Sequence, residues 1–334
     1  MKRYYFGTNP LGPSRKVKAA IRKSAKNLNT LPKEGREHLE RMFHSKYGAG
    51  NNSILIANSL KELLFVICRR LQPKKVMVVG PALNIYQEAA RASGAAIESL
   101  CSNEEGFFLP DLHALVKKAE GKDLVFIANP NRISGKALSE TVLKQVLAAL
   151  SLKDCVTVID ESLIEFAVDE GCIRRAGHSS NIIVLRTTAC YFGLPGLELA
   201  WAVAGPKMIE SLRQGLYSDP SIPAIEAARA ALKDKSYRRL SEQFMKEEKR
   251  LYKKAISRMP GMVMYDSDTN IVLLKAADLA EEIARRADLA GLAVELCSDF
   301  DGLSGQFLRI SVMRHDHNLK FIKLLSKISL EKAG

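Results

Sequence analysis

Leu185-Arg186-Thr187-Thr188-Ala189-Cys190-Tyr191-Phe192-Gly193-Leu194-Pro195-Gly196-Leu197 joins two apolar runs, 181–186 before it and 197–204 after it, through a turn punctuated by Gly193, Pro195 and Gly196. Runs of this kind are too short for helices, and they read as strands buried on both faces. They close a series. Residues 53–57, 75–80, 96–100, 123–128 and 155–160 are further apolar runs, and helical patterns at 60–71, 86–93 and 140–150 stand between them. Strands alternating with helices predict an α/β domain with a largely parallel sheet covered on both faces. Right-handed crossovers then bring the loops that follow the strands to one edge, where ligands bind.

Beyond Gly205 the pattern changes. Helical patterns over 224–232 and 237–259 lead into apolar runs near 262–265 and 270–275, a helix over 279–290, runs near 293–296 and 307–312, and a closing helix. The second of these helices is long enough to bridge two domains. At roughly 150 residues per domain, 334 residues make about two. Pro10-Leu11-Gly12-Pro13 marks a turn with Ser14 as a helix cap. The expected layout is an N-terminal arm over 1–35, a large domain over 36–235, and a small C-terminal α+β domain over 236–334 against which the arm packs.

The formal net charge is +13. Its densest basic groups, 16–26 and 246–254, lie on helical patterns among acids and alanines, so they read as solvated faces and a nucleic-acid partner is not expected. No run approaches the roughly 20 apolar residues of a membrane span. The start Met1-Lys2-Arg3-Tyr4-Tyr5-Phe6 has no apolar run behind its charges, so no signal peptide and a cytoplasmic location are expected. Six cysteines occur without a CxxC pair, and Cys68, Cys155 and Cys297 read as buried apolar residues rather than disulfide or zinc partners. His315-Asp316-His317 reads as the polar start of the last helix, and no metal is expected. There is no GxGxxG after the first strand, and Gly193 to Gly196 is only G-x-x-G, which sets aside a nicotinamide dehydrogenase.

Seven segments, in this order, resemble one family. They are Phe6-Gly7-Thr8-Asn9-Pro10-Leu11-Gly12-Pro13-Ser14; Asn58-Ser59-Leu60-Lys61-Glu62-Leu63; Gly80-Pro81 with Tyr86 following; Asn129-Pro130-Asn131 to Gly135, against N-P-N-N-P-T-G; Ile159-Asp160-Glu161, against D-E-A-Y; the opening stretch, against R-T-x-S-K-x-F-G-L-A-G; and Cys297 to Leu303 with Phe307 to Val312. Together they are similar to the pyridoxal-phosphate (PLP) fold type I proteins of aminotransferase classes I and II, in the histidinol-phosphate aminotransferase group. The N-P-L-G-P start and the C-S-x-F-x-G-L run lean towards the threonine-phosphate decarboxylase branch, which serves cobalamin synthesis. The resemblance spans nearly the whole chain. It implies a mostly parallel central sheet of the seven-stranded type in the large domain, beside the small α+β domain.

The resemblance also implies a cofactor and its contacts. PLP chemistry needs a lysine amine that forms a Schiff base, yields the cofactor to the substrate amine and shuttles protons. In the family it stands in the S-K pair before x-F-G-L; here the pair is Ala189-Cys190, and 185–197 contains no lysine. Ala189 replaces a serine that contacts phosphate. Glu198 replaces an arginine that pairs with it. Arg132 replaces an asparagine and Leu163 a tyrosine, both at the ring's phenolic oxygen. Leu83 replaces the stacking aromatic. Six cofactor positions therefore depart. The resemblance places Asn58 and Ser59 at the phosphate cradle, Asp160 at the pyridinium nitrogen, Arg309 at the substrate carboxylate and Asn9 on the substrate side of the arm. A strand-end acid satisfied by nearby backbone explains Asp160 better than a cofactor role, and an ion-paired arginine and a turn-forming asparagine explain Arg309 and Asn9 equally well.

Two functions follow. The first is a catalytically degenerate homologue without covalent PLP, acting by binding, either as a homodimer or paired with an active paralogue, or as a binder of an anionic metabolite at Arg132 and Arg309. The second is a PLP-dependent aminotransferase or L-threonine-O-3-phosphate decarboxylase. Cys190 as a nucleophile has no nearby histidine to activate it.

Overall fold

The computed structural model describes residues 5–333 apart from 51, 103, 106–107 and 168–170. The chain runs through α1 (Arg15–Ser24), α2 (Lys33–Tyr47), β1 (Ile54–Ala57), α3 (Leu60–Leu71), β2 (Lys75–Gly80), α4 (Asn84–Ala92), β3 (Ala96–Cys101), α5 (Leu112–Lys118), β4 (Leu124–Ala128), α6 (Glu140–Ser151), β5 (Val156–Asp160), α7 (Ile173–Ala176), β6 (Ile182–Thr187) and β7 (Ala200–Val203). It continues with α8 (Pro206–Arg213), α9 (Ile222–Lys233), α10 (Lys235–Ile256), β8 (Val263–Met264), β9 (Ile271–Lys275), α11 (Ala280–Leu289), β10 (Val294–Leu296), β11 (Phe307–Ser311) and α12 (His315–Ala333).

Among the described residues, seven strands form one sheet in the order β1-β7-β6-β5-β4-β2-β3. Strands β2 to β6 pair in parallel, while β7 runs against both β6 and β1. The largely parallel sheet expected from the sequence is present, with β7 its reversed member. Successive side chains feed opposite layers. In β5, Val158 joins Leu63, Tyr86 and Leu212, whereas Ile159 joins Leu39, Phe43 and Leu147. In β7, Ala200 and Ala202 face the first layer, while Trp201 and Val203 face the second, where Trp201 stacks on Phe43 at 4.6 Å. Each fully buried aliphatic side chain contributes about 1.5–3 kcal/mol, so a strand buried on both faces is fixed in register.

A second, antiparallel sheet has the order β10-β11-β9-β8. Helices α10, α11 and α12 cover it through Tyr252, Ile283 and Phe321. The 22-residue α10 is capped by Asp234, whose side chain accepts from Tyr237 N, and is about 33 Å long. The arm is stitched to this second sheet: Asn270 Nδ2 donates to Gly7 O at 2.7 Å and Gly7 N to Ser311 Oγ at 3.3 Å. Helix α1, capped by Ser14 as expected, lies on α9.

The strand expected from 197 starts only at Ala200, because Pro195–Leu197 forms a 3-10 turn. The sequence pattern does not announce α2, α5, α7 and α8, and α7 is four residues long. Six cysteines are unpaired, five of them buried. His315 begins α12, and the described residues contain no group of three or more side chains suited to a metal. No helix among them is long and apolar enough to cross a membrane.

Gly135 locks the loop after β4 to the second sheet. Its φ is +73°, and a Cβ there would stand 2.2 Å from Ile271 O. Asp268 N donates to Gly135 O at 3.0 Å, so the backbone cannot yield without losing that bond. Gly135→Ala is expected to cost about 3 kcal/mol and to lower Tm by roughly 5–10 °C. Gly196→Ala, where nothing lies within 4 Å, should leave Tm within about 1 °C of wild type. Differential scanning calorimetry of both variants checks the pair.

Candidate functional site

Strands β1, β2, β4, β5 and β6 end at one edge of the large sheet, and the reversed β7 begins there. Asn58 and Ser59 follow β1, Leu83 follows β2, Arg132 follows β4, Asp160 ends β5, Leu163 comes three residues later, Ala189 and Cys190 follow β6, and Glu198 precedes β7. One edge therefore gathers every large-domain position singled out in the sequence.

Asp160 is 1% exposed. Its Oδ1 accepts from Ser162 N at 2.8 Å and its Oδ2 from the Tyr86 hydroxyl at 2.5 Å. Arg132 Nη1 lies 3.7 Å from Oδ2 and donates to Ser162 Oγ at 2.7 Å. Arg132 Nη2 stands 4.0 Å from Cys190 Sγ, and Arg132 Nε finds no hydrogen-bond partner among the described residues. Burial works against the guanidinium charge, but Cys190, Asp160, Tyr86 and Tyr5 around it more than offset that and hold it above the ordinary arginine value. Burial and the Asp160 charge push the Tyr86 phenol well up, so it remains a donor. Cys190 is fully buried among Leu163, Ile271, Phe6 and Phe166. Burial pushes its thiol up to about 11 against the pull of Arg132, which disfavours the reactive thiolate.

The start of α3 forms a second cluster. Ser59 Oγ accepts from Glu62 N at 3.1 Å, and Glu62 Oε2 reaches back to Asn58 N at 2.8 Å and Nδ2 at 3.2 Å, a capping box set one residue early. Glu198 Oε1 accepts from Leu60 N at 3.1 Å and from the Thr187 hydroxyl at 2.7 Å. Ala189 N in turn donates to Thr187 Oγ1 at 3.1 Å. A carboxylate thus sits on the positive end of α3, a favourable place for an anion.

Arg309, in β11, is 6% exposed. Glu295 of β10 lies directly opposite in the register, and its Oε2 accepts from Arg309 Nε at 2.8 Å and Nη2 at 2.6 Å. Nη1 donates to the Arg132 carbonyl at 3.1 Å. The guanidinium lies over Phe6 with its carbon 4.1 Å from the ring centre. Asn9, 1% exposed, donates through Nδ2 to Tyr191 O at 3.0 Å and Ser241 Oγ at 2.9 Å and accepts from Leu11 N at 3.1 Å. Its side chain ties the arm to the loop of Cys190 and to α10.

Sequence reasoning missed four contributors: Ser162, Thr187 and Glu295, and the role of Tyr86. Ser162 lies two residues past Asp160, a spacing that lets a strand-end acid accept the backbone N–H of its own turn. The roles of Tyr86, Thr187 and Glu295 exist only through tertiary pairing, and no local signal points to them.

A mostly parallel seven-stranded sheet with one reversed strand, a smaller antiparallel sheet, and polar residues gathered at the carboxyl edge define a PLP fold type I protein. Sequence profiles give the particular family. The profile of aminotransferase class I and II matches residues 3–324, and the chain belongs to that family. It is 29% identical over 327 residues to histidinol-phosphate aminotransferase 2 of Archaeoglobus fulgidus, covering 96% of this chain and 91% of the relative. It is 24% identical to threonine-phosphate decarboxylase of Salmonella typhimurium, covering 96% and 89%. In fold, it matches the crystal structure of histidinol-phosphate aminotransferase from Clostridium acetobutylicum with a TM-score of 0.89 at 20% identity, over 98% of this chain and 99% of that one.

Thiol titration checks the burial of Cys190. With 5,5′-dithiobis(2-nitrobenzoate) at pH 8, native protein should show one fast thiol, the exposed Cys101, and five slow ones; denatured protein should show all six. At that pH a thiol of pKa about 11 is only about 0.1% thiolate. Fast labelling mapped to Cys190 would reveal an open, activated pocket.

Proposed function

We propose that the chain is a catalytically degenerate member of the histidinol-phosphate aminotransferase and threonine-phosphate decarboxylase branch, acting by binding another protein chain and not by turning over an amino acid. The observation that carries this reading is the Arg132 guanidinium lying between Asp160, at 3.7 Å, and Cys190, at 4.0 Å. Asp160 is the family position for the pyridinium and Cys190 the position for the Schiff-base amine, so a pyridine ring belongs between them. The residues present do not fit the cofactor. A thiol cannot form an imine, and a second cation takes the place where the ring nitrogen would carry its proton. No chemical step is therefore derived through PLP.

The anionic-metabolite version has less support. Arg309 spends its donors on Glu295 and the Arg132 carbonyl, and Arg132 turns its terminal nitrogens towards Ser162, Asp160 and Cys190. A free carboxylate would have to displace an internal one. Exposed apolar side chains favour a protein partner: Leu28 is 65%, Leu31 88% and Tyr217 84% exposed, and an Arg36–Asp219 ion pair ties the start of α2 to the loop of Tyr217. The family resemblance implies a dimer, either of two such chains or of this chain with a lysine-bearing relative.

Incubation with PLP followed by borohydride and peptide mapping tests the loss of chemistry. The expected result is scattered, substoichiometric labelling of surface lysines and no aldimine absorbance that survives gel filtration. Cys190→Lys should give the same result, because Arg132 still fills the ring position. A stoichiometric adduct at one residue of the wild-type chain would overturn the reading. Light scattering should return the mass of two chains, or affinity purification from the native cell a complex with a second member of this family; a lone monomer in both would reject the partner role.

A further inference from the structure

The phosphate end of the site disagrees with a cofactor in its own way, and the disagreement is specific. We propose that Glu198 is the specificity-determining residue of the pocket: its carboxylate permanently occupies the anion cup at the start of α3 and excludes phosphate-bearing ligands. This proposal deepens the non-catalytic reading above and rests on it.

Three observations support it. Glu198 Oε1 takes two donors at once, Leu60 N at 3.1 Å and the Thr187 hydroxyl at 2.7 Å, the pair that a phosphate oxygen in this place would need. Glu62 places a second carboxylate on the same turn, with its Oε2 on Asn58 N and Nδ2. A phosphate dianion at Leu60 N would meet the Glu198 carboxylate where it needs counter-charge, while Glu62 stays turned to Asn58. The chain is otherwise strongly basic, at +13, so the exclusion is a local arrangement and not a consequence of overall charge. The carboxylate also supplies what a partly buried helix start requires: without it, Leu60 N and Thr187 Oγ1 would lose their acceptor. The cup is therefore complete in the free protein, and a ligand gains nothing by entering it.

Phosphate esters consequently stay out of this end even where their remaining atoms fit. Removing the carboxylate should convert the cup into the anion site that a helix start with free amides provides.

Inorganic phosphate is the probe, read by isothermal titration and by thermal shift, with sodium chloride at matched ionic strength as the control. Wild-type protein should show no saturable response, with any Kd above about 100 mM. Glu198→Ala should gain saturable binding with Kd of about 1–10 mM, at least tenfold tighter. Glu198→Gln, which keeps the acceptor and the shape, should remain insensitive, and Glu198→Ala with Thr187→Val should lose most of the gain. Saturable phosphate binding by the wild type, or a folded Glu198→Ala that ignores phosphate, overturns the proposal. Should Glu198→Ala not fold, Glu198→Ser carries the same test, and failure of both to fold makes Glu198 structural and equally ends the specificity role. None of these outcomes bears on imine formation, so the loss-of-chemistry reading stands or falls separately.

Discussion

A carboxylate at the end of β5, sealed from water, must have its charge answered by the protein itself. Transfer of an unpaired carboxylate into a dry interior is prohibitive, so the surroundings of Asp160 are built from donors. The amide of Ser162, the phenol of Tyr86 and the guanidinium of Arg132 converge on it from β5, α4 and the loop after β4. That convergence sets the geometry of the edge. It draws α4 against the sheet and fixes the 129–135 loop. The Arg132 carbonyl then accepts from Arg309, and Arg309 continues to Glu295. One connected path of polar contacts runs from the centre of the large sheet into the small one.

The scaffold and the site obey different constraints. Framework positions require volume, period and a few backbone conformations. Gly193, with φ at +66° and its would-be Cβ 2.8 Å from the Gly12 backbone, is a framework position, fixed by its conformation whatever side chains its loop carries. Site positions require particular atoms. A chain can preserve every framework demand and replace the chemistry, because a fold accommodates a function without dictating it.

This division decided what the sequence revealed. The two-faced strands were legible because Val158 and Ile159, or Trp201 and Ala202, are all apolar, so the run has no polar side. The edge cluster was legible as a set of positions, because each follows a strand at a fixed offset. The partners were not. Glu295 meets Arg309 only through the β10–β11 register, and Tyr86 reaches Asp160 across 74 residues of sequence. Glu198 was legible as a charge reversal against the family pattern. That its carboxylate would settle on Leu60 N and Thr187 depends on β7 running backwards, so that its first residues meet the start of α3. The short α7 has too few residues to show a period at all.

The contact of Arg132 with Cys190, at 4.0 Å, also limits what position 190 can hold. An amine placed at position 190 would face a guanidinium across a dry gap, two cations with nothing between them. Evicting the guanidinium first would strip Asp160 of its counter-ion. Neither position can therefore change its charge alone without leaving a buried charge unanswered. Selection acting on one substitution at a time meets a coupled pair here: positions 132 and 190 can exchange their charges only together.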